Sequence, residues 1–137
     1  MDKIDQQIID ALKENSRLTY SAIGKKIGLS EAAIRKRVKN LISKGVIKRF
    51  TVEVNMSQRA NAVVLISVSP SISTSSISEK LCRIEGIKDV HEITGQYDIF
   101  VNISAPSIAE VNKCVDEIRS IEGVVNTNTM IILKSWS

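Results

Sequence analysis

"LSEAAIRKRVKNLISKGVIKRF", residues 29–50, follows directly on Gly28, and its apolar residues Ile34, Val38, Leu41 and Ile42 recur at helical spacing. Ser30 is placed to cap this helix and Gly45 to end it. Upstream, Thr19 suits the start of a short helix whose apolar residues are Tyr20, Ile23 and Ile27, and Gly28 stands where a left-handed residue stops it. Further upstream, residues 2–14 place Ile4, Ile8, Ile9 and Leu12 on one helical face, with Asp2 and Asp5 at the positive end of the macrodipole. Downstream, "VIKRFTVEV" (46–54) reads as a strand through Ile47, Thr51, Val52 and Val54. Two short helices joined by a tight glycine turn, with a helix in front and a strand behind, predict a winged helix-turn-helix over residues 1–54.

Charge agrees with that reading. The chain has 137 residues and a net charge of +4, but the basic residues are segregated. Residues 1–61 hold 13 Lys and Arg against 6 Asp and Glu, and residues 62–137 hold 6 against 9. Basic charge gathered in one module is what attracts a polyanion such as double-stranded DNA. With Ile34, Val38 and Leu41 turned inward, the helix after Ser30 offers Glu31, Ala32, Arg35, Lys36 and Lys39 on its other face. Arg35 or Lys36 can donate to a guanine edge, and Ala32 can approach a thymine methyl. Lys25, Lys26, Arg37, Lys48 and Arg49 suit phosphates, which orient a protein without reading sequence. Taken alone, such a face could equally be a solvated one, since Glu31 and Arg35 form an i,i+4 pair.

"NMSQRAN" (55–61) breaks the apolar pattern and reads as a linker, which leaves residues 62–137 as a second domain. "AVVLISV" (62–68) is an apolar strand. A helix capped by Ser75 or Ser76 follows, with Ile77, Leu81 and Ile84 on one face and Gly86 at its end. "VHEIT" (90–94) is a strand, "GQYD" (95–98) a turn and "IFVNISA" (99–105) another strand. Ser107 opens a helix with Ile108, Val111, Val115 and Ile118 inward, Gly123 closes it, and "VVNTNTMIILK" (124–134) is the last strand. The order βαββαβ is the ferredoxin-like arrangement, which makes the whole chain α+β. Two helices cover one face of such a sheet. The other, rich in apolar strand residues, calls for a second subunit.

Several function classes are disfavoured. No pair of carboxylates, nucleophile with base, or glycine-rich phosphate loop points to an enzyme, so no catalytic residue and no cofactor is expected. Cys82, Cys114 and the sole histidine, His91, lack metal-ligand spacing. No run approaches a membrane span and no apolar signal core follows Met1, so a cytoplasmic protein is expected.

The whole chain resembles the Lrp/AsnC family of leucine-responsive and asparagine-responsive regulators. The family pattern "D..D..I...L..N.R" is met by Asp2, Asp5, Ile8, Leu12, Asn15 and Arg17, and "IG..IGLS...I..RV..L...GVI..F" by residues 23–50. "TG.YD" and a later "NT.T" follow in order. The stretch from Ser30 onward looks most like archaeal members, including lysine-biosynthesis regulators; the short hinge between modules departs from the pattern. The resemblance implies a sequence-specific regulator of amino-acid metabolism whose C-terminal domain forms homodimers, often an octamer, and senses an amino acid. It implies an effector site between dimers, built from Gly95, Gln96, Tyr97, Asp98, Thr127, Thr129 and Met130. The chemistry is compatible: Gly95 and Gln96 offer backbone N–H groups, Thr127 and Thr129 hydroxyls, and Asp98 a negative charge for an ammonium. Without the family, Gly95 and Asp98 simply build a tight hairpin. The competing reading is an architectural DNA-binding protein whose second domain only oligomerises.

Overall fold

The computed structural model describes residues 1–55 and 58–137. The chain folds as two compact units, Met1–Val54 and Asn55–Ser137. The first holds α1 (Lys3–Glu14), α2 (Tyr20–Ile27) and α3 (Glu31–Ser43). Each begins at a side-chain cap: Asp2 and Asp5 form a reciprocal capping box on α1, Thr19 accepts the Ala22 N–H, and Ser30 accepts the Ala33 N–H. Ile8, Leu12, Ile23, Ile34 and Val38 are buried together between the three helices.

The α2–α3 turn depends on Gly24. Its carbonyl accepts both the Gly28 N–H (2.7 Å) and the Leu29 N–H (2.9 Å), while Gly28 takes a φ of +90°. Gly24 is buried, and a Cβ there would fall far inside contact with the Leu29 carbonyl oxygen.

Two expectations for this unit fail. Ile42, counted in the helical repeat, is 47% exposed, because the buried stripe of α3 ends at Leu41. Residues 46–54 form no strand. Val46 and Ile47 both donate to the Leu41 carbonyl, closing the helix end, and Val52 and Val54 stay exposed. β-branched residues favour a strand only when a neighbouring strand completes the ladder, and this unit has none among its described residues.

The second unit holds β1 (Ala60–Val68), α4 (Thr74–Leu81), β2 (Ile87–Glu92), β3 (Ile99–Ala105), α5 (Ile108–Ser120) and β4 (Val124–Ile131). The strands pair antiparallel in the order β2-β3-β1-β4, the ferredoxin-like arrangement. Burial alternates along β1 and β3: Ala62, Val64, Ile66, Ile99, Val101 and Ile103 face the core with Ile77 and Leu81 of α4 and Val111, Val115 and Ile118 of α5. The opposite face carries Val63, Leu65, Phe100 and Met130 interspersed with Asn61, Asn102, Asn128 and His91. It is more polar than the apolar strand composition suggests.

Several boundaries move. Ala60 and Asn61, expected in the linker, already pair with Ala105 and Ser104; Met56 and Ser57 of that linker lie outside the described residues. The cap of α4 is Ser73, not Ser75 or Ser76; the Ser75 hydroxyl donates instead to Glu92. α4 ends at Leu81, before Ile84 and Gly86, and Gly86 (φ +99°) serves the turn into β2. β2 covers residues 87–92 rather than 90–94, because Ile87 and Val90 are the residues that pair with β3 on the core side. Ile108 is 59% exposed, and β4 stops at Ile131.

Gly24→Ala should therefore lower the urea midpoint of the first unit by more than Gly28→Ala. The second change adds only left-handed strain, about 1–2 kcal/mol, with no atom within 4 Å of the new methyl. The first also drives carbon into backbone that cannot move aside. Equal losses by circular dichroism would refute this dependence.

Candidate nucleic-acid interface and effector loop

α3 presents its predicted polar face intact. Ala32, Arg35, Lys36 and Lys39 are exposed, as are Lys25 and Lys26 in the last turn of α2 and Lys48 and Arg49 beyond α3. Ile34, Val38 and Leu41 hold the helix down from the other side. The Ser30 hydroxyl oxygen serves as the cap, 3.1 Å from the Ala33 nitrogen. Glu31 forms an ion pair with Arg35, whose guanidinium also lies 5.5 Å from the centre of the Tyr20 ring. Tyr20 and Glu31 thus pre-orient Arg35 at the start of the helix. The arrangement offers a rod of donors to a groove about 12 Å wide.

Arg37 behaves differently from its neighbours. It is half-buried, and Nη1 lies 2.7 Å from Asp2 Oδ2 and 3.1 Å from Asp5 Oδ1. The capping box of α1 is therefore also an anion pair that holds α3, and the phosphate role expected of Arg37 competes with this internal bond. The sequence held a signal for it. Arg37 sits three positions after Ile34, at the margin of the buried stripe, and two carboxylates, the cap Asp2 and Asp5 in the first turn, stand at the start of α1. The hydrogen bond from Arg37 holds the Asp2 carboxyl below the usual carboxylate range.

In the second unit, Gly95 has a φ of +113° and nothing within 4 Å of where a Cβ would stand. Asp98 is tied into the sheet by three bonds. Its N–H donates to the Ile66 carbonyl, its carbonyl accepts the Ile93 N–H, and its carboxylate accepts the Val68 N–H, each at 2.9 Å. Thr127 pairs with Ile66 from the other side of β1, so Asp98 and Thr127 flank one strand at about two strand spacings, roughly 10 Å. Thr127 Oγ1 accepts from Arg119 Nε at 3.2 Å. Thr129, opposite Val64, shares the helix-covered face with Thr127, whereas Met130, opposite Val63, lies on the other face. Gln96 is exposed and Tyr97 half-buried. The loop 95–98 thus lies on the β3 side of β1 and Thr127, Thr129 and Met130 on its β4 side, and the β4 residues do not share one face of the sheet.

Among the described residues, no group of three or more His, Cys, Asp or Glu is placed to hold a metal ion, and no helix is long and apolar enough to cross a membrane.

The Arg37 clasp has a pH signature. A carboxyl whose folded pKa is depressed contributes stability above its unfolded pKa, and that contribution is lost as pH falls through the folded value. Arg37→Met should lower the melting temperature at neutral pH, and the deficit should shrink as the pH drops below about 4. Melting curves of both proteins from pH 7 downward check this; a deficit unchanged at acidic pH would show that Arg37 acts through packing alone.

Comparison with known proteins adds independent findings. Residues 1–42 match the AsnC-type helix-turn-helix domain, and residues 61–137 match the Lrp/AsnC ligand binding domain. The HTH-type transcriptional regulator LysM of Saccharolobus solfataricus is 46% identical over 136 residues, spanning 99% of this chain and 96% of that protein. Among solved structures, PH0061 aligns with a TM-score of 0.90 at 26% identity, covering 100% of this chain and 95% of the other. The Transcriptional Regulator NMB0573/L-Met Complex from Neisseria meningitidis aligns at 0.88 with 20% identity, covering 100% and 92%, a likeness of fold.

Proposed function

The chain belongs to the Lrp/AsnC family of DNA-binding, ligand-responsive transcriptional regulators, which are not enzymes, and from that footing we propose how its two units divide the work. Residues 1–54 bind operator DNA and residues 60–137 assemble the protein and sense an amino acid, with residues 55–59 joining them. The observation that carries the DNA reading is the anchored, exposed face of α3. Arg35 and Lys36 read base edges, Ala32 lies beside a base, and Ser30, Lys39, Lys48 and Arg49 orient the helix on phosphates. Glu31 steadies Arg35.

The effector is an amino acid held at the loop 95–98 together with Thr127, Thr129 and Met130. The structural likeness to a regulator solved with L-Met supports the ligand class, and the relative named LysM leans toward lysine. Since the loop and β4 residues are separated within one unit, the site is completed by a second copy. Two recognition helices about 34 Å apart on a palindromic operator also require a homodimer, and the mixed apolar face of the sheet supplies its contact. Assembly of dimers to an octamer would bring loops against neighbouring subunits. A protein that acts on operator DNA works in the cytoplasm.

One observation favours the architectural alternative: the Asp98 carboxylate already serves Val68, and the Thr127 hydroxyl already serves Arg119. A thermal-shift screen of the twenty amino acids separates the two, since a ligand bound only by the folded state raises the melting temperature. No shift with any amino acid favours the architectural reading.

On the DNA side, Arg35→Ala should weaken operator binding roughly tenfold to a hundredfold and relax preference at one base position, whereas Lys48→Ala should weaken all sequences alike. Binding across operator variants reads the difference. Light scattering at micromolar concentration should find no stable monomer. Gly95→Val and Asp98→Asn should reduce binding of the screened amino acid in calorimetry while operator binding without ligand persists; Asn keeps an oxygen acceptor for the Val68 N–H, so the hairpin survives. Normal ligand binding by both variants would move the effector site elsewhere.

A further inference from the structure

A separate cleft of about 270 Å³ opens at the other end of the second unit, where the start of β2, the end of β3 and one stripe of α5 meet. Five charged residues line it: Arg59, Glu85, Glu110, Lys113 and Glu117. Its floor is Gly86 and the buried Cys114, and a side chain at position 86 would start 3.7 Å from the Ser104 carbonyl and 3.8 Å from Cys114 Sγ. Glu117 lines the same cleft as Cys114, and burial, and secondarily the charge of Glu117, push the Cys114 thiol up.

The charges are held apart. Glu110, Lys113 and Glu117 are spaced i, i+3 and i+7 on α5, so Lys113 has a carboxylate within helical reach on both sides. Yet among the described residues none of the five stands within the 4.0 Å of an ion pair with any charged group. Arg59 is fixed instead by neutral partners: Nε donates to Ser104 Oγ at 2.9 Å and Nη2 to the Ser104 carbonyl at 3.1 Å. Its remaining nitrogen, Nη1, has no partner among the described residues. Two cationic and three anionic side chains therefore line one small space, four of them exposed, without forming an ion pair among themselves.

A ligand that complements this set carries one carboxylate and two cationic groups. At about 270 Å³ the cleft falls just below the usual size of ligand sites, roughly 300–1,000 Å³, which suits an amino acid better than a nucleotide. We propose that this cleft is a second small-molecule site, lying within a single subunit, that binds a basic α-amino acid. Arg59 and Lys113 meet the ligand carboxylate, and Glu85, Glu110 and Glu117 share its two cationic groups. The site is independent of the loop 95–98, and it needs no neighbouring subunit.

The test uses the full chain in a Gly95→Val background, so that the loop site does not contribute. Calorimetric titration with L-lysine, L-ornithine and L-arginine should show binding of at least one. Adding Glu117→Gln, an exposed change that melting curves can show to be folded, should weaken that binding roughly tenfold to a hundredfold. Cadaverine, which keeps two ammonium groups and lacks the carboxylate, should bind more weakly than the amino acid. Failure of all three amino acids to bind, or full affinity in Glu117→Gln, overturns the site. Equal affinity for cadaverine overturns the amino-acid class. Failure of the loop reading registers separately, as an unchanged amino-acid response on introducing Gly95→Val alone.

Discussion

A strand persists only where its N–H and C=O groups find partners, and in this molecule β1 supplies them on both sides. It pairs with β3 over Ala60 to Ile66 and with β4 over Ala62 to Val68. That double ladder draws Ala60 and Asn61 into the sheet although neither is a strong strand former. It also sets which side of each neighbouring strand meets α4 and α5. The same requirement acts in the opposite direction in the first unit. Residues 46–54 have the composition of a strand and no partner among the described residues of their unit, so they stay irregular.

The end of the β3 ladder explains the place of Asp98. Its last pair is Ile66 with Ile99, and beyond it the Val68 N–H would lack a backbone partner. The Asp98 carboxylate supplies the acceptor, so this residue extends the ladder by a side chain while its own N–H reaches Ile66. A carboxylate has two oxygens with several lone pairs, and one hydrogen bond leaves capacity for an ammonium. The hairpin reading and the effector reading of the loop are therefore compatible on the same atoms. Arg37 presents a similar double demand. A residue chosen from sequence for phosphate contact is the one that fastens α3 to the start of α1, which keeps the neighbouring Arg35 and Lys36 on a rod that does not roll.

The helices were legible because their signals are local. Thr19, Ser30 and Ser107 cap where expected, since a hydroxyl accepting from a backbone N–H three residues on is a short-range bond. In the serine run before α4, several hydroxyls compete and only the backbone conformation selects Ser73. Ile42 and Ile108 satisfied the helical repeat but lie at stripe margins, where the width of the buried face is decided by what packs against it. The exposed α3 stripe was readable from spacing and charge. The Arg37 clasp spans 35 and 32 residues to its partners, and such separations leave only a compositional hint. The cleft beside α5 was not readable at all: Arg59, Glu85 and Glu117 come together through the sheet register and one helix face, and nothing in their spacing announces it.

The segregation of charge has a structural sense. The basic residues of the first unit project from helices whose inner faces are apolar, and among its described residues only Arg35 and Arg37 are drawn into ion pairs. The lysines keep their charge available to a polyanion. The second unit is net acidic by residue count, so phosphate is repelled from its surface. The same field that turns DNA away from this unit attracts small cations to it. A polyanion is thereby directed to the first unit by charge alone, before any specific contact forms.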